Sequence, residues 1–138
     1  MEVDVDWSPE YKGMDPEEFE FENTQWDNHK TYKTFDKQTR LEFFKDLNSW
    51  ATSQFLHGEQ GALLVASQLA SCAPTYNAKL YAASQTFDEA RHVEAFNKYL
   101  QQRLKRSWPI GRALKGLLDK ILTDPRWDLK FIGMQVVI

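Results

Sequence analysis

The sequence predicts an all-α fold, in which helices pack as a bundle. From about residue 39 onward, apolar residues recur at steps of three, four and seven, which is the spacing of one face of a helix. No segment shows the alternation of apolar and polar residues that a half-buried strand would require. A length of 138 residues with 42% hydrophobic residues suits one domain with its own core and excludes wholesale disorder.

Residues 1–38 are predicted to form an irregular, acidic arm ahead of a helical domain at residues 39–138. Pro9, Gly13 and Pro16 interrupt the arm, and its first 22 residues contain nine acids against one base, Lys12. Aromatic side chains are scattered along it, so we expect the arm to pack against another part of the protein.

Prolines and capping residues divide the helical domain into four predicted helices. Their predicted limits are about Thr39 to Ala73, Thr75 to Leu104, Ser107 to Leu122, and Asp124 to the end of the sequence. The first two are long and separated only by a short break at Pro74, so they should form an antiparallel hairpin. The last two would then be a partial second hairpin.

One face of the first helix is expected to lie in the core. Its apolar residues keep helical spacing over almost the whole helix: Leu41, Phe44, Ala51, Phe55, Ala62, Ala66 and Leu69. The fourth helix has Trp127, Phe131, Met134 and Ile138 on one face. Because the sequence stops within this apolar run, we expect either that the helix docks on a partner or that the sequence is truncated.

Glu59 lies on the apolar face of the first helix and is the first candidate for a functional residue. A carboxylate that faces a core costs several kcal/mol unless it is paired, protonated or bound to a metal. Its small neighbours Gly58 and Gly61 leave space beside it, although each glycine costs about 1 kcal/mol of helix stability against alanine.

Glu89 and His92 form a Glu-x-x-His pair on one face of the second helix. If the turn centres on Pro74, Glu59 and Glu89 lie at the same height in the hairpin and face each other. Two carboxylates and an imidazole suit iron or manganese better than structural zinc, which favours sulfur and nitrogen. The alternatives are a buried Glu–His ion pair, or a pairing of Glu59 with a lysine or arginine.

For five neighbouring residues the sequence gives less specific predictions of position or role. His57 should point away from Glu59, to the surface or between helices. Asp88 either holds the second nitrogen of the motif imidazole or is solvated. Gln85 is expected to line a cavity, and Tyr81 and Tyr99 are either redox-active or part of the core.

Segments 55–62 and 85–96, which read FLHGEQGA and QTFDEARHVEAF, resemble the ferritin-like di-iron carboxylate superfamily. The resemblance covers about residues 40–138, and it is strongest to the oxidases and oxygenases that are similar to the ribonucleotide reductase small subunit, near the arylamine N-oxygenases. It implies a ferritin-like bundle in which Glu59, a bridging Glu89 and His92 bind iron. The pair of irons would reduce O2 and oxidise a small-molecule substrate.

One copy of the sequence supplies only half of the ligands that the resemblance implies. The superfamily needs a second Glu and a second Glu-x-x-His, yet no acid or histidine follows Asp128. Either a symmetric homodimer supplies Glu59, Glu89 and His92 twice, or the sequence is the N-terminal part of a longer protein. Two other functions stay open: a ferroxidase or iron-handling protein with the same ligands, and a non-catalytic helical dimerisation module without metal.

Charge and composition give the remaining expectations. A net charge of −3 gives no general attraction to nucleic acid, and no apolar run is long enough to cross a membrane. The single cysteine, Cys72, excludes an internal disulfide and favours the cytoplasm. Six bases and no acid lie between Lys98 and Lys115. This strip would suit a phosphate-bearing partner or an acyl-carrier protein, unless it is a solvated turn or lies near the acidic arm.

Overall fold

The computed structural model of the chain describes residues 25–137, and these residues form an all-α bundle, which confirms the predicted fold class. Its helices are α1 (Lys37–Cys72), α2 (Tyr76–Lys98), α3 (Arg112–Thr123) and α4 (Trp127–Ile132). A 3-10 turn at Tyr32–Thr34 precedes α1, and π-helical turns at Tyr99–Leu104 and Gly133–Val137 extend α2 and α4. Between residues 25 and 137 there is no strand, and no helix is long and apolar enough to span a membrane.

α1 and α2 form the predicted antiparallel hairpin, and a capping side chain begins each helix. The Asp36 carboxylate accepts a hydrogen bond from the backbone N–H of Thr39 at 2.7 Å, so α1 begins two residues earlier than predicted. The Thr75 hydroxyl accepts from the Ala78 N–H at 3.2 Å and begins α2. At 36 residues, α1 is about 54 Å long and is the longest of the four helices.

α3 begins at Arg112, later than the predicted start at Ser107. The extension of α2 ends at Lys105, whose positive φ of 51° terminates the helix, and the following segment is not helical. Side chains of α1 bind the backbone of this segment, so its polar groups are satisfied without a helix. The bonds are Ser49 Oγ to Arg106 O, Trp108 N to Ser53 Oγ, Gln54 Nε2 to Pro109 O and Gly111 N to Gln54 Oε1.

The core lies where α1, α2 and α3 meet. Val65 and Leu69 of α1 pack with Ala82 of α2 and Ile121 of α3, and all four are almost fully buried. Met134 packs at the edge of this cluster, which brings the end of the chain against the hairpin.

A second, aromatic cluster joins the end of the arm to the start of α1. Tyr32 is buried against Phe35, Phe43 and Phe44, with ring centroids 5.7–6.3 Å apart. Trp26 meets the edge of Phe43 at 5.3 Å. Residues 25–38 of the arm therefore pack on the bundle, as expected, while residues 1–24 lie outside the described part of the chain.

Not every residue of the predicted apolar faces is buried. Phe55 is 63% exposed and stacks on Phe96 of α2, with centroids 6.1 Å apart. Phe131 and Trp127 of α4 are also exposed. The prediction that Phe55 lies in the core was wrong, because its stacking on Phe96 leaves most of the side chain open to solvent.

The basic strip between Lys98 and Lys115 is partly neutralised. Three of its bases pair with acids, in the pairs Lys98–Glu94, Arg106–Asp46 and Lys115–Asp119. These pairings leave a smaller cationic surface than the sequence alone indicates.

Lys130 is a buried cation that joins three helices. Its ammonium group donates to the carbonyl oxygens of Ile121 and Leu122 at 2.9 and 3.0 Å and to Oε1 of Gln68 at 2.6 Å. The two carbonyls belong to the last turn of α3, where helices leave carbonyls unpaired and where a positive charge is favourable. Lys130 of α4 thus caps α3 and ties both helices to α1.

Replacing Lys130 with methionine should lower the free energy of unfolding by about 2–4 kcal/mol, since it leaves buried acceptors without donors. Urea denaturation followed by circular dichroism measures this change. Lys120→Met, on the exposed surface of α3, is the matched control and should change stability by less than about 0.5 kcal/mol. Equal effects of the two substitutions would contradict the assigned role of Lys130.

The two glycines beside Glu59 have different surroundings. A Cβ at Gly61 would collide with the buried side chain of Leu118, so this glycine allows α3 to approach α1. A Cβ at Gly58 would meet no atom within 4 Å. The expectation that both glycines make space beside the carboxylate holds for Gly58, whereas Gly61 makes space for α3.

Gly58→Ala should therefore raise the free energy of unfolding by about 0.5–1 kcal/mol, because alanine favours a helix and meets nothing here. Gly61→Ala should gain less or lose stability, since Leu118 must move. Thermal denaturation of both variants gives the comparison, and a larger gain at position 61 would contradict the packing described.

Candidate metal centre

Glu59, Glu89 and His92 meet on one side of the α1–α2 hairpin. His92 Nδ1 lies 3.1 Å from Oε2 of Glu89 and 3.4 Å from Oε2 of Glu59. One potential ligand atom from each of the three residues lies within 4.8 Å of the other two. The predicted register of the hairpin thus brings the three side chains together.

The hairpin buries the three side chains to different depths. The Glu89 side chain is the deepest, at 12% exposed, whereas His92 is 53% exposed and lies at the rim. Gln85, one turn before Glu89, donates from Nε2 to Glu89 Oε1 at 3.3 Å. This bond occupies one oxygen of Glu89, and the other oxygen faces His92.

The proximity of the groups shifts their proton equilibria. Burial, together with the adjacent Glu89 carboxylate, raises the pKa of Glu59 to about 6. Burial alone would raise the pKa of Glu89, but hydrogen bonds with Glu59, Gln85 and His92 lower it below its ordinary value. Burial opposes the charged form of His92, yet both carboxylates raise its pKa above the usual value. With a pKa of about 6, Glu59 holds a proton below that pH and is mostly ionised at pH 7.

These residues meet the chemical requirements of a cation site. Ligand atoms about 2.1 Å from one ion lie roughly 3–4.2 Å from one another, so the three groups need only small rotations to share an ion. Two carboxylates offset the charge of a divalent cation, and a single imidazole with oxygen ligands suits iron or manganese. Because metal ligands must be deprotonated, protons on Glu59 and His92 would compete with a cation as the pH falls.

A groove of about 580 Å³ opens beside the two glutamates. Its walls come from α1, α2, α3 and the π-helical turn after α4. Apolar side chains make up most of the lining, and polar atoms are contributed by glutamines and by Glu59 and Glu89. The residues that line it are Trp50, Ala51, Gln54, Phe55, Gly58, Glu59, Ala62, Gln85, Glu89, Leu114, Met134 and Gln135.

The weaker candidates have separate outcomes. Gln85 lines the groove, as expected. Asp88 pairs with Arg91 at 3.1 Å, so it does not hold the imidazole of His92. His57 donates from Nε2 to the carbonyl oxygen of Trp108 at 3.0 Å, and it lies between α1 and the segment before α3.

Neither tyrosine candidate lies at the groove. Tyr81 is exposed on α2, and Tyr99 lies in the π-helical extension of that helix. Neither side chain belongs to the lining of the groove, and this placement gives no support to a redox role.

Sequence reasoning missed the contributions of α3 and of the last turn. Leu114, Met134 and Gln135 reach the groove from the second half of the chain, and Trp50 joins them from α1 although it is not part of the predicted apolar face. Their position beside Glu59 depends on how α3 and α4 pack on α1, which no local sequence pattern predicts. Only the apolar face predicted for the fourth helix, which includes Met134, pointed to this contact.

Within residues 25–137, this is the one group of three or more acidic, histidine or cysteine side chains that could hold a metal. The second Glu and Glu-x-x-His implied by the resemblance have no counterpart among these residues. A centre for two metals would need ligands from outside the described part of the chain.

Compared with protein-family models, with curated proteins and with solved structures, the chain matches none.

In metal-free protein, Glu89→Gln should lower the pKa of His92 towards its ordinary value of about 6.5, because the substitution removes the nearest negative charge. An NMR titration of the imidazole carbons, assigned with His92→Asn, measures the shift. Asp88→Asn is the neighbouring control and should leave the titration of His92 unchanged. The same pKa in the Glu89 variant and the wild type would contradict the contact.

Proposed function

We propose that the chain is the metal-binding part of a di-iron carboxylate oxidase or oxygenase. The observation that carries the proposal is the junction of the Glu59–Glu89–His92 cluster with a largely apolar groove. Metal ligands in the wall of a groove of this volume would have a place for an organic substrate beside them. Bound iron would supply the reduction of O2 coupled to oxidation of that substrate.

The protein side chains have separate tasks in this proposal. Glu59, Glu89 and His92 would hold the metal, with oxygen from the two carboxylates and nitrogen from the imidazole. The resemblance implies that Glu89 would be the bridging ligand and Glu59 a terminal one. Gln85 fixes one oxygen of Glu89 and so limits its rotation. Glu59 exchanges its proton for the cation, which makes binding tighter as the pH rises through about 6.

The walls of the groove would contact and orient the substrate. Trp50, Phe55 and Leu114 offer flat and branched apolar surface, which favours an apolar small molecule over a charged one. Gln54 and Gln135 supply hydrogen-bonding groups that would hold a polar end of the substrate. Manganese fits the same ligands, and the reducing cytoplasm suits ferrous iron.

The remaining ligands of a di-iron centre come, in this proposal, from a second chain or from a further segment of the protein. A ferroxidase would use the same cluster without an organic substrate, and the groove favours the oxidase or oxygenase over it. A non-catalytic module would keep Glu59, Glu89 and His92 only as an ion-pair cluster, and the adjoining groove favours metal chemistry over it.

Metal binding is the first test. Protein treated with chelator and then dialysed anaerobically against Fe²⁺ or Mn²⁺ should retain about one metal or more per chain, measured by elemental analysis. Glu89→Gln should weaken binding of Mn²⁺ at least about tenfold, because it removes a ligand oxygen and its charge.

Glu94→Gln is the matched control for this test. Glu94 lies on the same helix, on an exposed face where it pairs with Lys98, and its loss should leave metal binding unchanged. Absence of metal from the wild type would refute the proposal in favour of a non-catalytic module. Accumulation of iron far beyond two ions per site would refute it in favour of iron handling.

A further inference from the structure

The start of α3, residues 111–116, forms one wall of the groove. Leu114 lines the groove and is half-buried, whereas residues 112, 113, 115 and 116 are exposed. Leu114 is therefore the side chain through which this part of α3 shapes the groove. Its position depends on what holds the start of α3 to α1.

The two halves of α3 are held in different ways. In the second half, Leu118 is buried against Gly61, Ile121 lies in the core, and Lys130 binds the last carbonyl groups. Within residues 25–137, every hydrogen bond from residues 109–116 to another helix comes from Gln54. The second half of α3 is thus anchored in the core, and the first half is tied to α1 by the hydrogen bonds of one side chain.

Gln54 holds the start of α3 with both ends of its amide. Its Nε2 donates to the carbonyl oxygen of Pro109 at 3.1 Å, and its Oε1 accepts from the backbone N–H of Gly111 at 2.7 Å. The bond to Pro109 lies on the exposed surface, where water competes for the same groups. Gln54 also lines the groove, so the side chain that fixes this wall can be reached by a bound molecule.

A glycine lies at each end of this wall. Gly111 is the residue from which α3 begins, and Gly116 lies inside the helix, where a Cβ would meet no atom within 4 Å. Packing therefore does not require glycine at position 116, and glycine disfavours the helix about four- to fivefold relative to alanine. The Lys115–Asp119 ion pair spans this position on the exposed surface, where such pairs contribute little. The helix is weakest between its wall and its anchored half.

We propose that residues 111–116 are a gate on the groove, which bends open at Gly111 and Gly116 and which Gln54 holds closed. Opening moves Leu114 out of the groove and releases the Gln54 amide, so that a molecule too wide for the closed groove can enter. Segments that open in this way come from the least stable parts of a fold. The gate rests on the proposed function only in that the groove holds a substrate, and it requires no bound metal.

Amide hydrogen exchange of the full chain, followed by NMR, tests the gate. The informative amide is that of Lys115, which donates to the carbonyl oxygen of Gly111 at 2.9 Å and has no bond to Gln54. Gln54→Leu should speed its exchange at least about fivefold, because the gate opens more often. Gly116→Ala should slow it about four- to fivefold, because alanine stiffens the helix.

Gly58→Ala is the matched control, since it alters a glycine in α1 that also has open space at its Cβ. It should leave the exchange of Lys115 unchanged. Equal slowing by Gly58→Ala and Gly116→Ala would mean that Lys115 exchanges only when the whole bundle unfolds, and would overturn the gate. A Gln54→Leu effect confined to the amide of Gly111 would also overturn it, because that amide loses its acceptor directly.

Methyl relaxation dispersion shows whether the wall itself moves. The methyl groups of Leu114 should exchange between two environments within microseconds to milliseconds, and those of the anchored Leu118 should not. Gln54→Leu should raise the population of the minor state, and Gly116→Ala should lower it. Leu114 methyl groups that show no more exchange than those of Leu118 would contradict the gate. Metal binding is measured separately, so the gate and the proposed function can fail independently.

Discussion

The pairing of α1 with α2 at one fixed height is the constraint on which the rest of the structure depends. The connection between them is only three residues long, and Thr75 caps the second helix at once, so neither helix can slide along the other. This fixed height brings Glu59 opposite Glu89 and Ala82 against Val65 and Leu69. The hydrophobic core and the polar cluster are thus two results of the same register.

Besides the apolar contacts of Leu118 and Ile121, hydrogen bonds of polar side chains hold residues 106–130 to this hairpin. Ser49, Ser53 and Gln54 bind the backbone before α3, and Lys130 binds the end of α3. Hydrogen bonds of this kind require specific directions, so they fix orientation more than apolar contact does. The groove depends on that orientation, because one of its walls comes from α3 and the turn after α4.

Much of the hairpin could be predicted from the sequence, since helical spacing, caps and a short turn are local signals. The same signals predicted that Glu59, Glu89 and His92 lie together. In an antiparallel hairpin, residues at equal distances from the turn lie side by side, so their pairing can be calculated from their sequence numbers. The start of α3 and the burial of Phe55 could not be predicted in this way. Both depend on contacts between distant segments: side chains of α1 satisfy the backbone before Arg112, and the elements around Phe55 leave it 63% exposed. The second set of ligands that the resemblance implies could not be assigned, because no acid or histidine follows Asp128.

The open space at Gly58 has a consequence for how this protein could change. The residue lines the groove one position before a candidate ligand, and no atom stands where its side chain would be. A single substitution there would shorten the groove without disturbing the carboxylates or the packing of α3, which depends on Gly61. The size of the groove and the packing of the fold therefore depend on different glycines. Evolution or protein engineering can therefore change the size of the groove while the packing of α3 on α1 is left intact.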